Sequence, residues 1–364
     1  MKRREFLLKS TAISVGLSTQ LLNPGVSFGK ILNTKEEALK KKKAKYIFNF
    51  ASPYFTDKFV TTPHAHREIK QLIESYTKGK VYVNIYDGGS EGIGSSLSNS
   101  VKLGAVQGAL LSVSNLVPLV KELDILNIPF WSSNEKDYLR LFKSGMWGKH
   151  VLSKMNNYNI QVLFPYVVGA RTASTVKKYG KTIKKPEDFV GVDFRIPGSE
   201  CLKIFYKLTK ASPVNIPWRL CARTARAGRY QALDPAIIGL YAGPDGLNKE
   251  IGVISEIESV HDGWVAIGNK KYIEELDPKT RSQFLEAFEE IQLQQYQNYQ
   301  TSRNFCVKEF KKLGTEIYYL TAKEKENLAN AFGHQNKAYD DIKKKLLGEN
   351  GLSLFDGLYK AAKG

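Results

Sequence analysis

The chain has 364 residues and a formal net charge of +18, of which residues 1–29 carry +3. A charge of this size leaves nucleic acid, an acidic surface or an anionic ligand open as partners. The lysines are scattered apart from the run at 41–45, so a solvated basic surface accounts for the bulk of the charge. The three cysteines, Cys201, Cys221 and Cys306, contain no C-x-x-C pair, which excludes an ordinary Cys/His zinc site.

The amino terminus predicts export. KRREFLLKS (2–10) fits the twin-arginine pattern Arg-Arg-x-Phe-Leu-x-Lys. The apolar stretch that follows, Thr11 to Leu22, is shorter than the roughly 20 residues that a spanning helix needs. Small residues near Gly29 predict cleavage there, so residues 1–29 are expected to be a signal peptide and the mature protein periplasmic. The alternative is a basic N-terminal tail. Export makes nucleic acid a poor partner.

Roughly 335 residues follow the signal, more than one core usually holds, so we expect two domains. Strands alternate with amphipathic helices, which predicts α/β domains with mostly parallel sheets. The first domain is expected at 44–168 and again at about 257–275, and the second at 169–256. The elements predicted for the first segment are strand 46–51, helix 63–80, strand 80–89, helix 97–103, strand 108–115, an extended piece 124–130, a helix near 137–155 and strand 160–169.

A long helix is predicted at 277–314. Asp277 is a good N-cap, Pro278 suits the first helical position, and Gly314 ends the pattern. Such a helix is about 50 Å long, so it either lies across both domains or kinks. The remaining segment, 315–364, is expected to be a C-terminal helical region.

One arginine stands out in the second domain, in GVDFRIPGSE (191–200). Alternating residues predict a strand at 192–196, Pro197-Gly198 ends it, and Ser199 can cap the next helix. Arg195 therefore lies at the carboxyl end of a strand, where open α/β sheets bind ligands and where a helix start favours anions. Its rigid fork matches a carboxylate.

Arg171 follows another strand end, in VVGARTAS (167–174), and would face the same crevice if the two strands are neighbours. For both arginines the alternative is a structural salt bridge, to Asp193 or Asp234. Trp218 lies just before a helix and could line the pocket or belong to the core. The stripe of Arg219, Arg223 and Arg226 on that helix is expected to be solvated.

GGSEG (88–92) matches the G-x-S-x-G pattern of a hydrolase nucleophile elbow and follows a predicted strand. The helix does not begin at once, because GIGSS intervenes, and His261-Asp262 are the only candidate partners seen. An exported serine hydrolase using Ser90 is therefore kept as an alternative function.

Several segments together resemble one family, the extracytoplasmic solute-binding receptors of TRAP transporters. KKPEDFVGVDFRIPGS (184–199) is close to the family's K-P-E-D-L-x-G-x-K-x-R-x-P pattern. GARTAS (169–174) lies where the family has a second arginine, and IPWRLCARTARAGRYQALDP (216–235) resembles the stretch before an acidic, ligand-facing turn. NIPF (127–130) and the long helix also fit, and the resemblance covers nearly all of the mature chain.

The resemblance implies a two-domain periplasmic-binding-protein fold, type II-like, with a long helix spanning both domains. It also implies that Arg195 pairs with a carboxylate, that Arg171 assists, and that Trp218 contacts the solute. Asp234 lies near the turn where the α-keto acid branch holds a cation, so Asp234 is a candidate ligand and metal residue, with Na⁺ or Ca²⁺ as the ion and no other cofactor. QALDP replaces the usual D-G-Q-E-N and puts Pro235 at the asparagine, which disfavours a C4-dicarboxylate or sialic acid. The neighbouring GLYAGPDG and DGW segments favour the α-keto acid branch or another monocarboxylate branch.

The expected function is therefore a non-enzymatic periplasmic receptor that binds an organic acid anion and delivers it to TRAP membrane permease subunits. A receptor of an ABC importer, which shares the two-domain fold, is the other alternative.

Overall fold

A computed structural model describes residues 35–54 and 66–364. The predicted twin-arginine signal at 1–29 lies outside these residues. Within them, no helix combines the length and the apolar composition that crossing a bilayer requires.

The described chain alternates strands and helices in two α/β layers. The strands are β1 (Tyr46–Ala51), β2 (Val81–Tyr86), β3 (Gly108–Ser112), β4 (Ile160–Tyr166), β5 (Ala173–Val176), β6 (Asp193–Ile196), β7 (Ser212–Asn215), β8 (Ala232–Leu233), β9 (Ile251–Glu256), β10 (Trp264–Asn269) and β11 (Glu316–Tyr319). The α-helices are α1 (Lys35–Lys43), α2 (His66–Tyr76), α3 (Ser95–Leu103), α4 (Glu135–Lys143), α5 (Gly145–His150), α6 (Glu200–Leu208), α7 (Cys221–Arg226), α8 (Ile237–Tyr241), α9 (Lys270–Glu275), α10 (Pro278–Lys312), α11 (Ala322–Phe332), α12 (Asp340–Leu347) and α13 (Gly351–Lys363).

The strands form two sheets, as expected for a two-domain binding-protein fold. The first has the order β2-β1-β3-β10-β4 and the second the order β11-β9-β5-β8-β6-β7. The prediction of mostly parallel sheets is wrong in part. In the first sheet β10 runs antiparallel to both of its neighbours, and in the second β5 runs antiparallel to β8 and β9. β5 is the first strand after the chain passes from the first sheet to the second, and β10 is the first strand after it passes back.

Besides α10, two segments carry the chain between the sheets, 167–172 on the way out and 257–263 on the way back. They run side by side as a short antiparallel ribbon. The backbone N–H of Arg171 donates to the Val260 carbonyl at 2.7 Å, and that of Asp262 donates to the Gly169 carbonyl at 2.9 Å. Ala170 and His261 form a β-bridge between these bonds. We call this pair of segments the crossing ribbon.

The long helix begins as predicted. The Asp277 carboxylate accepts from the Thr280 backbone N–H at 3.0 Å, Pro278 opens the helix, and Gly314 lies just beyond its end with a φ of +77°. α10 packs on α2 and β4 at one end and on α8 and β11 at the other, so it spans both sheets.

Local signals misled the prediction elsewhere. The piece at 124–130 is not extended: Lys121–Asn127 is a 3₁₀ helix whose residues from Glu122 on are all buried, and a short apolar run does not distinguish the two. The helix expected at 137–155 is divided at Ser144, which caps α5. The C-terminal segment, expected to be helical, opens with β11, which joins the second sheet beside β9.

α10 also holds the crossing ribbon. The side chain of Gln295, buried in the middle of α10, accepts from the Val167 N–H at 3.0 Å and donates to the Val167 carbonyl at 2.7 Å. Both backbone groups of a buried residue at the start of the ribbon are therefore satisfied by one amide.

We expect Gln295→Leu to lower the free energy of unfolding by about 2–5 kcal/mol, because it leaves a buried N–H and a buried C=O without partners. Chemical denaturation measures this loss. Gln294→Leu is the matched control, since Gln294 is half-buried and bonds only to Glu290 one turn earlier. Equal losses in the two variants would contradict the role given to Gln295.

Candidate functional site

A cavity of about 560 Å³ lies between the two sheets, beside the crossing ribbon. Residues of both sheets and of the loops at their edges line it. The lining includes Tyr54, Arg171, Arg195, Trp218, Asp262 and Trp264.

The local sequence features that predicted the position of Arg195 also place it in the structure. It is the third residue of β6, Pro197 and Gly198 end the strand, and the Ser199 hydroxyl accepts from the Leu202 N–H at 3.1 Å to begin α6. The strand lies between β8 and β7, and the arginine reaches the cavity at its carboxyl end.

The Arg195 side chain is only 4% exposed, yet it makes no ion pair with a carboxylate in the described part of the chain. Its Nε donates to the Ile216 carbonyl at 2.9 Å, and its guanidinium carbon lies 5.3 Å from the centre of the Trp218 ring. The salt bridge to Asp193 or Asp234, considered from the sequence, is not formed. Among the described residues, neither terminal amino group of this guanidinium has a hydrogen-bond acceptor.

Arg171 lies on the outgoing segment of the crossing ribbon, not at a strand end of the second sheet. The strand that precedes Arg171 is β4, which belongs to the first sheet, whereas β6 belongs to the second, so the two strands are not neighbours. Arg171 nevertheless lines the same cavity as Arg195. One terminal nitrogen lies 3.1 Å from Asp234 Oδ1 and the other 2.8 Å from Asp262 Oδ1, whereas Nε is buried without a hydrogen-bond partner. The ion pair with Asp234, which the sequence offered as the alternative role of Arg171, is therefore formed, and Asp262 is a second partner.

The three side chains form a buried charge cluster. Arg171, Asp234 and Asp262 are 2%, 0% and 3% exposed. Burial opposes the charged form of Arg171, but the carboxylates of Asp234 and Asp262 raise its pKa above the ordinary value. Burial raises the pKa of Asp234, although Arg171 beside it favours the carboxylate. The other oxygen of Asp262 accepts from the Ala236 N–H at 3.4 Å.

Asp234 faces Arg171 and is not among the residues that line the cavity. No group of three or more His, Cys, Asp or Glu side chains in residues 35–54 and 66–364 is arranged to hold a metal ion. The metal role of Asp234 thus stays a prediction from the resemblance. Asp262, which sequence reasoning considered only beside His261 as a hydrolase partner, does line the cavity.

Aromatic rings form much of the remaining cavity wall. Trp218 opens a 3₁₀ turn, Trp218–Leu220, directly before α7. Tyr54 and Trp264 were missed from the sequence, and their ring centroids lie 5.0 Å apart in the cavity wall. The only sequence signal for Trp264 is its place at the first residue of a strand, in HDGW.

The arginine stripe on α7 is solvated, as predicted. Arg219 is exposed and touches the rim of the cavity, Arg223 is exposed, and Arg226 pairs with Glu250 at 3.1 Å.

The nucleophile elbow is not formed. Ser90 is exposed in a turn after β2, and the next helix begins only at Ser95. His261 is buried, with its ring stacked on Tyr138 at a centroid distance of 4.2 Å. The three cysteines are buried and free, in agreement with their reading as small apolar fillers.

Residues 55–233 match the model of the bacterial extracellular solute-binding proteins of family 7, DctP. The chain belongs to this family. It is 25% identical over 232 residues to the C4-dicarboxylate-binding periplasmic protein DctP of Rhodobacter capsulatus, which covers 61% of this chain and 65% of that protein.

Solved structures share the fold. A TRAP periplasmic solute-binding protein of Roseobacter denitrificans with bound β-D-glucuronate has a TM-score of 0.75 at 16% identity, over 87% of this chain and 99% of that one. One of Sulfurospirillum deleyianum with bound succinate has a TM-score of 0.74 at 18% identity, over 88% and 99%. The family binds solutes and does not catalyse reactions, so neither the hydrolase nor the ABC-importer alternative has support.

The crossing ribbon also makes this solute-binding protein sensitive to acid. Burial lowers the pKa of His261 to about 3, and the positive charge of Arg171 contributes to the shift. The unfolded chain takes up a proton near pH 6.5, whereas the folded protein does not until about pH 3. The stability that the neutral His261 contributes is therefore complete above pH 6.5 and is lost as the pH falls from 6.5 to about 3.

Because of His261, we expect the free energy of unfolding to be about 2 kcal/mol lower at pH 5 than at pH 7. His261→Gln removes that part of the pH dependence, which urea denaturation at both pH values measures. His150→Gln, at the half-buried end of α5, is the control and should keep the wild-type slope. A wild-type slope in the His261 variant would contradict the assignment.

Proposed function

We propose that the protein is the periplasmic receptor of a TRAP transporter, that it binds an organic acid anion through Arg195, and that it delivers this anion to membrane permease subunits. The single observation that carries the proposal is the guanidinium of Arg195, buried at the cavity wall with two amino groups that pair with no carboxylate of residues 35–54 and 66–364. A buried charge without a partner is costly, so an anionic ligand that pairs with it gains more than it would in water.

Arg195 is also held in position. The bond from Nε to the Ile216 carbonyl fixes the plane of the guanidinium and leaves its terminal amino groups for a bidentate contact. The Trp218 ring lies against the guanidinium carbon and is available to pack on the solute. Arg171, which lines the same cavity, would assist as the second arginine.

The position of the cavity supports a closing motion. It lies between two sheets that are joined by the crossing ribbon and by α10, so a solute bound there touches both. Binding would shift the protein toward the closed state to the extent that the solute contacts that state better than the open one. The succinate and glucuronate named for the structural relatives support an organic acid as the solute.

Arg195→Ala should weaken carboxylate binding by about 2–5 kcal/mol, because it leaves the carboxylate without its partner in a desolvated site. Calorimetry with the best acid from a thermal-shift screen measures the loss. Arg223→Ala, exposed and outside the cavity, is the control and should bind as the wild type does. Unchanged affinity in a folded Arg195→Ala protein would overturn the proposal.

Trp218→Ala should weaken binding of the same acid by about 0.5–1.5 kcal/mol, since both the packing of the ring on the solute and its contact with Arg195 are lost. Leu220→Ala, exposed in the same turn, is the control. An effect no larger than that of Leu220→Ala would show that Trp218 does not touch the solute.

The permease, the twin-arginine route and the ion at Asp234 each have a direct check. Uptake of the acid should need a small and a large membrane protein and no ATPase.

Arg3→Lys with Arg4→Lys should stop export of the precursor. Binding with and without Ca²⁺ tests the ion, which should raise the affinity if Asp234 holds it.

A further inference from the structure

The cavity holds few charges for a site that binds anions. Among the described residues, its lining contains the cations Arg171, Arg195 and Arg219 and one acid, Asp262. Arg219 is exposed at the rim, where water and salt screen its charge. The two buried guanidinium groups therefore decide which anions fit.

The two buried guanidinium groups are not equivalent. Arg195 has no carboxylate partner in the part of the chain that the structure describes, whereas each terminal nitrogen of Arg171 already lies at an aspartate, Asp234 on one side and Asp262 on the other. A fork engaged in this way cannot offer a second bidentate contact to a ligand. With two carboxylates around one guanidinium, the cluster also adds no net positive charge to the site.

We propose that Asp262, with Asp234 behind it, restricts the site to acids that carry a single carboxylate. The inference rests on the proposed function. One ligand carboxylate occupies Arg195, and a second one, directed toward Arg171, meets the Asp262 carboxylate instead of a free cation. Like charges at close range in a partly desolvated site repel, so a dicarboxylate is disfavoured.

The remaining wall suits an uncharged body on the ligand. The rings of Tyr54, Trp218 and Trp264 offer apolar surface, and Ser95, Ser96 and Asn115 offer neutral hydrogen-bonding groups. These residues contribute no charge that would compensate a second carboxylate. Asp262 is therefore the specificity-determining residue, and it acts by occupying Arg171.

The test uses pairs of acids that differ in the second carboxylate: butyrate with succinate, gluconate with glucarate, and benzoate with phthalate. Calorimetry on the full mature protein should give at least tenfold tighter binding of the monocarboxylate in every pair that binds. Asp262→Asn should reduce this ratio at least tenfold, mainly by improving the dicarboxylate. Asp193→Asn, exposed on the same strand as Arg195, is the control and should keep the wild-type ratio.

Two further measurements cover an Asp262→Asn protein that does not fold. Asp262→Glu retains the charge and should retain the preference, and the wild-type ratio stands without any variant. Dicarboxylates that bind the wild type as tightly as their partners overturn the inference and leave the proposed function intact. A folded Asp262→Asn protein with the wild-type ratio overturns the role of Asp262. Failure of every carboxylate to bind overturns the proposed function itself.

Discussion

The ion cluster of Arg171, Asp234 and Asp262 is the constraint on which the arrangement of the two sheets depends. Each member comes from a different segment: Arg171 from the outgoing part of the crossing ribbon, Asp262 from the returning part, and Asp234 from the end of β8. All three are buried, so removing Arg171 leaves two buried carboxylates without a counter-charge, a change that typically costs about 3–5 kcal/mol. The cluster thus fixes how the two connections and the second sheet meet.

The same cluster defines what the neighbouring arginine can do. Because Asp234 and Asp262 are both committed to Arg171, neither pairs with Arg195. The Arg195 guanidinium is 4% exposed and pairs with no carboxylate of the described residues; the Ile216 carbonyl and the Trp218 ring compensate its charge in part. Under the proposed function, an anion that enters where the two sheets face each other would supply the missing partner. This links the fold to the proposed function without a catalytic group.

What the sequence predicted correctly was local. The strand that ends at Ile196, the cap at Ser199 and the start of the long helix at Asp277 are all fixed by neighbouring residues. What it missed depends on distant pairing. Nothing near Arg171 signals that Asp262 will lie beside it, and the insertion of β10 between β3 and β4 brings Trp264 to the cavity only in the folded chain. Periodicity describes which face of an element is buried, and it does not specify which distant segment covers that face.

The net charge of +18 and the chemistry of the cavity act at different distances. Exposed lysines such as Lys41, Lys308 and Lys311 attract any anion, and salt screens them over about 8–10 Å. They can raise the rate of encounter, but they cannot distinguish one acid from another. Discrimination between acids needs charges that are buried, few and close to the ligand. Only in such a site does one additional carboxylate change the binding free energy by a large amount. In this protein those charges are one open guanidinium and one that two aspartates already hold. Under the proposed function, these buried groups, the aspartates among them, would select the anion that the basic surface collects.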